Sequence, residues 1–430
     1  MRVDLKRFDQ LQETIYHQQL NNGLNVYILP KQGFNKTFAI FTTKYGSIDD
    51  HFKPLNREEW LKVPDGIAHF LEHKMFEQPD GTDVFQTFGE QGAMANAFTS
   101  FTATSYLFSS TTNVVKNITT LIDFVQEPAF TDENVEKEKG IIGQEIRMYD
   151  DNPDWRLYFG LIENMYHHLP VKIDIAGTVE SISEITKEHL YDCYRTFYHP
   201  SNMLLFIVGP VNPDEIMGLI ESNQNEKEYT NKQPIERQYP EEPATVAKKE
   251  SVLPMSVKTP KCLVGYKERT VHRQGEDMLR HELSVQLLLE VLFGKGTENY
   301  RTLIDEGLID DSFSFEYTEE HEFAFSAIGG NTEDPDALSA RIKEMVDQAK
   351  QNRIDETAVE RARKKRIGSF LKALNSPEFI ATQFTHYQFN GMDLFAIVPT
   401  LESLTMDELT KVLNDHFHDD GFTVFKVVAK

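Results

Sequence analysis

The chain has 430 residues, is 40% hydrophobic, and carries a formal net charge of −24 with only two cysteines. That length allows two substantial cores, since one core rarely grows past about 250–300 residues. The charge argues against a phosphate-backbone partner, Cys193 and Cys262 are only two and lie in different halves, which argues against a disulfide framework or a cysteine metal site, and neither an apolar leader after Met1 nor a bilayer-length apolar run occurs. The expectation is a soluble, cytoplasmic protein with no nucleic-acid or membrane partner. The acidity fits simple solubility and equally an attraction for basic peptides.

Strand-like stretches open the chain at 26–29 and 37–45. Pro64-Asp65-Gly66 then reads as a turn and helix start, and 67–76 as a helix with apolar Ile67, Phe70, Leu71 and Phe76. This helix carries His69, Glu72 and His73. Residues four apart share a helix face, so both imidazoles can address one metal ion, with Glu72 beside them. The order is that of the inverted zincins, H-x-x-E-H, in which the glutamate acts as base toward a water the metal activates. Without a partner, two histidines on an otherwise apolar helix would be costly to bury.

A catalytic zinc takes three protein ligands as a rule, so an acid or a histidine should follow. Thr131 begins a second helix, with early acids Asp132 and Glu133. Along it Glu138 and Glu145 stand seven residues apart, on one face but separated by roughly 10 Å of helix axis. One can ligate while the other waits nearby, and spacing alone does not choose between them. Between the two helices, residues 89–104 read as a strand rich in small side chains, which lets another backbone approach.

Further along come strand-like 204–208 and a polar, proline-bearing stretch, 223–250, that reads as a linker. The order of strands, helix and strands then repeats. The helix near 278–293 lays Leu287-Leu288-Leu289-Glu290-Val291 over the H-x-x-E-H segment, with both histidine positions apolar. The expected division is therefore 1–222 as a metal-bearing domain, 223–250 as linker, and 251–430 as a second domain of like fold without the metal. His416-Phe417-His418-Asp419-Asp420 reads as a solvated loop, His167-His168 as a helix end, and Arg363-Lys364-Lys365-Arg366 as a solvated helix face.

Four ordered segments resemble the pitrilysin/insulinase group of zinc peptidases, which includes the mitochondrial processing peptidase. They are Asn22-Gly23-Leu24-Asn25-Val26-Tyr27, Gly46-Ser47 ahead of the motif, Asn96-Ala97-Phe98-Thr99-Ser100, and Tyr198-His199-Pro200-Ser201-Asn202-Met203 before a strand ending at Gly209. Within the group, the chain is most similar to zinc-bearing soluble subunits of Gram-positive bacteria. The resemblance implies an α+β fold of two homologous domains of the LuxS/MPP-like metallohydrolase type, each a mainly antiparallel sheet with helices on one face. It implies one Zn2+ per chain held by His69, His73 and Glu145, with Glu72 as catalytic base and Glu138 as a supporting acid. It also implies an edge strand around Ala95, Asn96 and Ala97 that adds a peptide substrate by main-chain pairing.

The chain departs from the family at one place. Where active members carry an arginine and a tyrosine in the second domain, it has Ile304 and then Ile309 or Asp310, while Tyr300, Arg301 and Tyr317 stand out of register. An aliphatic side chain makes no bidentate or oxyanion contact. The expectation is a zinc endopeptidase subunit acting on unstructured peptides, completed by a homologous partner subunit bearing the arginine–tyrosine pair. The alternative is a non-hydrolytic peptide-binding or scaffolding subunit of a heterodimer.

Overall fold

A computed structural model describes residues 3–8, 13–78, 81–229 and 234–430. Met1 and the 230–233 portion of the expected linker lie outside the described residues. The chain forms two compact units that are not sequential. One comprises Met1–Ile146, Asp174–Tyr239 and Leu374–His386; the other comprises Arg147–Ile173, Pro240–Ala373 and Tyr387–Lys430. Among the described residues no helix is long and apolar enough to cross a membrane.

The first unit is built on strands β1 (Asp4–Phe8), β2 (Glu13–Gln19), β3 (Asn25–Pro30) and β4 (Thr37–Thr43), with short β5 (His51–Lys53) and β6 (Leu61–Lys62), then β7 (Ala93–Thr99), β8 (Thr104–Ser110) and β9 (Met203–Gly209). The main sheet runs β1-β2-β3-β9-β4-β8-β7 and is antiparallel except where β3 meets β9. Central β4 and β9 are buried along their whole length, as expected of apolar runs covered on both sides. Tyr106 and Phe108 of β8 meet Phe124 and Phe88 on one face, while Tyr27 and Phe206 take Phe384 on the other. The stretch expected as a linker contains a strand: β10 (Glu236–Arg237) pairs with β5, and the Arg237 Nε and Tyr239 hydroxyl both donate to Asp49 Oδ1, at 2.8 and 2.6 Å.

The second unit carries β11 (Glu250–Met255), β12 (Lys261–Lys267), β13 (Ser314–Glu319), β14 (Ala324–Asn331) and β15 (Phe422–Ala429), ordered β11-β15-β12-β14-β13. Only β11 and β15 are parallel. The order and directions repeat those of β3-β9-β4-β8-β7, and the Gly275–Phe293 helix falls between β12 and β13 as the Ile67–Met75 helix falls between β4 and β7. The fold is thus α+β with two domains of one pattern. The Pro153–Met165 helix belongs to this unit's core, because Gly265 leaves space beneath it: a β-carbon there would lie 2.0 Å from Met165 Cε.

Two local expectations are corrected. His416 and His418 are buried rather than solvated, because each finds partners inside the second unit. His416 Nδ1 lies 2.9 Å from Glu268 and its Nε2 2.9 Å from the Ser326 hydroxyl, while His418 Nε2 lies 3.0 Å from the Lys267 carbonyl. The 363–366 basic run splits: Lys364 and Lys365 are exposed, whereas Arg363 and Arg366 are half-buried, Arg366 donating to Gln286.

Candidate metal centre

The Ile67–Met75 helix starts at Gly66, whose φ of 90° lies in the left-handed region. No side chain caps it; instead Gly66 packs against backbone, where a β-carbon would lie 2.4 Å from the Ala176 carbonyl oxygen. Phe70, Leu71 and Met75 are buried and anchor the apolar face. Thr131 and Asn134 cap the Asp132–Asp150 helix reciprocally, each side chain taking the other's N–H, at 2.9 and 3.1 Å.

These two helices bring His69, His73 and Glu145 together, their ligand atoms all within 4.8 Å of one another. His69 Nε2 lies 3.7 Å from Glu145 Oε1, and His73 Nε2 lies 3.5 Å from Oε2. Atoms about 2.0–2.2 Å from a tetrahedral zinc lie roughly 3.3–3.6 Å apart, so the set is close to the spacing a shared ion needs. Two imidazoles and one carboxylate also match the donor chemistry of a catalytic zinc. Glu138 stands apart from this triangle: its Oε1 meets His73 Nδ1 at 3.1 Å, on the far side of the ring.

Electrostatics separate the two histidines. Burial, then the neighbouring His73, pushes His69 down to about 4, so it is neutral as a ligand must be. Burial opposes charge on His73 too, but the Glu138 hydrogen bond and the charges of Glu72, Glu145 and Glu138 outweigh it and raise its pKa. Burial likewise opposes charge on Glu138, and the His73 bond, with Lys74 behind it, nevertheless lowers its pKa.

Glu72 is buried beside the histidines, and burial lifts it above the ordinary carboxylate range, opposed by the Thr99 hydroxyl, which donates to Oε2 at 2.6 Å. Thr99 ends β7, an edge of the sheet. Along β7, Met94, Asn96 and Phe98 are exposed while Ala95 and Ala97 are half-buried, and Asn96 Oδ1 accepts the Ala97 N–H at 3.0 Å. Sequence reasoning missed two contacts here. One is the Thr99–Glu72 bond. The other is Lys74, fully buried with its Nζ 3.5 Å from Glu138 Oε2; nothing in its identity marks a lysine as buried, although it directly follows the motif.

Residues 62–179 match the model of the insulinase family (peptidase family M16), and 184–366 match that of the peptidase M16 inactive domain. The uncharacterized zinc protease YmfH of Bacillus subtilis (strain 168) is 59% identical over 423 residues, 98% of each chain. The chain belongs to peptidase family M16. Zinc protease PqqE of Helicobacter pylori is 25% identical over 94% of this chain and 91% of its own. Among solved structures, that of an M16-like peptidase from Alicyclobacillus acidocaldarius superposes with a TM-score of 0.94 at 41% identity, covering 100% of this chain and 99% of the other. A protease from Helicobacter pylori shares the M16 fold at a TM-score of 0.83 and 19% identity, over 96% and 99% of the two chains.

Proposed function

We propose that the chain is a zinc-dependent endopeptidase subunit that cleaves unstructured peptides, with His69, His73 and Glu145 as metal ligands and Glu72 as general base. The observation that carries this reading is the convergence of two imidazoles and a carboxylate beside a buried glutamate at the end of an edge strand. When bound, zinc supplies a Lewis acid that brings the pKa of water toward about 7 and polarises a carbonyl.

The rest is work for the chain's own groups. Glu72, oriented by the Thr99 hydroxyl, takes the proton of the attacking water and delivers it to the amine nitrogen as the C–N bond breaks. Its raised pKa suits that exchange, because a stronger base accepts the proton more readily near neutral pH. Glu138 holds His73 through Nδ1 and so fixes which nitrogen faces the ion. Strand β7 offers its free edge to the substrate backbone, with Ala95, Asn96 and Ala97 as the pairing segment; an incoming carbonyl replaces Asn96 Oδ1 on the Ala97 N–H. Two buried free cysteines suit a reducing, cytoplasmic setting.

A partner subunit completes this reading. Ile304, at the position where the resembled family has arginine, is 42% exposed and aliphatic, so the carbonyl-binding arginine and tyrosine would come from a homologous partner. The same residue is what favours the second reading, a non-hydrolytic peptide-binding or scaffolding subunit. Cleavage of a quenched, flexible, basic peptide separates the two, assayed on the zinc-loaded chain alone and with its partner. Glu72→Gln should retain zinc and lose about 10²–10⁴-fold in turnover. Wild-type rates in that variant would remove Glu72 from the mechanism; peptide binding without turnover in every combination would favour the scaffold.

A further inference from the structure

The second unit holds another group of metal-competent side chains, remote in sequence from the H-x-x-E-H helix. His272 lies in the loop after β12, and His321 and Glu322 lie in the turn joining β13 to β14. Their ligand atoms all fall within 4.8 Å of one another, and among the described residues only this group and the His69 group do so. His272 Nδ1 is 3.4 Å from His321 Nδ1 and 3.5 Å from Glu322 Oε2. Both distances lie within the roughly 3.3–3.6 Å edge of a tetrahedral zinc. His321 Nδ1 also hydrogen-bonds Glu322 Oε1 at 2.6 Å, shorter than that edge, so an ion would take Oε2 as its ligand oxygen and displace the proton of this bond.

The backbone holds this arrangement at a cost. His272 has φ 68°, in the left-handed region that few non-glycine residues occupy. It is held there as its N–H donates to the His321 carbonyl at 2.7 Å, while Glu320 N–H to Phe323 O, at 2.8 Å, closes the turn. Two ring nitrogens face each other across 3.4 Å, an arrangement that a shared cation satisfies without a proton between them. Among the described residues, Glu322 pairs with these two histidines and with no lysine or arginine, while neighbouring Arg273 is engaged by Glu319 and Glu268.

We infer that His272, His321 and Glu322 form a second divalent-metal site, of the zinc, nickel or copper class by its two imidazoles and one carboxylate. An ion there staples the loop after β12 to the β13–β14 turn. It stays accessible, since the His272 side chain is 58% exposed and that of His321 38%, and further coordination positions are left for water or for a ligand on another molecule.

The test is equilibrium dialysis of the full chain against micromolar Zn2+, with ion counted per chain. In a His69→Ala, His73→Ala background, whose first site is disabled, one ion should remain bound, and adding His321→Ala should abolish it. As a second comparison, His321→Ala in the otherwise wild-type chain should bind one ion fewer than wild type while keeping its peptidase rate. No ion in the disabled background overturns the inference, as does an ion count unchanged by His321→Ala. Because the comparison reads a difference, failure of the catalytic reading would leave this result interpretable.

Discussion

Glu138 divides its carboxylate between His73 Nδ1, at 3.1 Å, and the buried Lys74 ammonium, at 3.5 Å. In Glu138→Gln the amide can still touch the ring, but its charge is gone and Lys74 loses one counter-ion. Zinc affinity should fall about 10–100-fold, read by competition with a chromophoric chelator; undiminished affinity would show that Glu138 supports packing alone. Thr99 tests the base from the other side. Its hydroxyl donates to Glu72 and lowers that carboxyl's pKa against burial, which raises it. Thr99→Val removes the lowering contribution, so Glu72 becomes protonated at higher pH. A base must be unprotonated to act, so the acid limb of kcat/KM should move to higher pH, with little change on the alkaline side. An unmoved limb would mean that a different group controls it.

The helix that carries the two histidines depends on the residue just before it. Gly66 sits at φ 90° against the Ala176 carbonyl, so Gly66→Ala combines a strained backbone with a collision against backbone that cannot swing away. Destabilisation of about 1–3 kcal/mol follows, with weaker zinc binding because both imidazoles move with the helix. Urea titration of the metal-free chain, followed by metal titration, separates the two effects, and a wild-type urea midpoint would contradict the account. This helix was legible in the sequence because its signals are local: histidines four apart, apolar positions around them, and a turn before them. The same holds for the helix after Thr131 and, within the wider 89–104 stretch, for β7; its place at a sheet edge is what the family resemblance implied. What was not legible depends on distant partners. The Pro153–Met165 helix joins the second unit because Gly265, about a hundred residues on, leaves room for Met165. β10 forms inside a polar, proline-bearing stretch because β5 and Asp49 receive it. His416 and His418 look like loop residues until Glu268, Ser326 and the Lys267 carbonyl surround them. Choosing Glu145 over Glu138 likewise needed family resemblance, since which carboxylate reaches Nε2 depends on how two helices cross.

Across the whole molecule, one sheet pattern is used twice with different contents. In the first unit the end of β7 supplies Thr99 to Glu72; in the second, the end of β13 supplies Glu319, whose Oε2 lies 2.9 Å from His281 on the Gly275–Phe293 helix. Around it sits a buried charged network. Glu268 meets His416 at 2.9 Å, His281 at 3.4 Å and Arg273 at 3.6 Å, and the Tyr317 hydroxyl donates to Glu319 at 3.0 Å. Burial alone would raise the Glu268 pKa, but the hydrogen bond and charge of His416, followed by His281 and Arg273, bring it from 4.5 to about 2. A depressed carboxyl stabilises the fold above its unfolded pKa and loses that contribution as pH falls through its folded one. The expected loss is therefore roughly 3 kcal/mol, taken at about 1.4 kcal/mol per pKa unit, beginning near pH 4.5 and complete only below about 2. Glu268→Gln should destabilise the second unit at neutral pH, because half-buried Arg273 and buried His416 keep their positions without that carboxylate. It should also flatten the pH dependence below 4.5, the unfolded value, since the variant has no proton to gain there. Denaturant midpoints measured from neutral pH downward on both chains decide the matter. Parallel profiles would mean that the network is held by packing and hydrogen bonds, with the Glu268 charge contributing nothing to its stability.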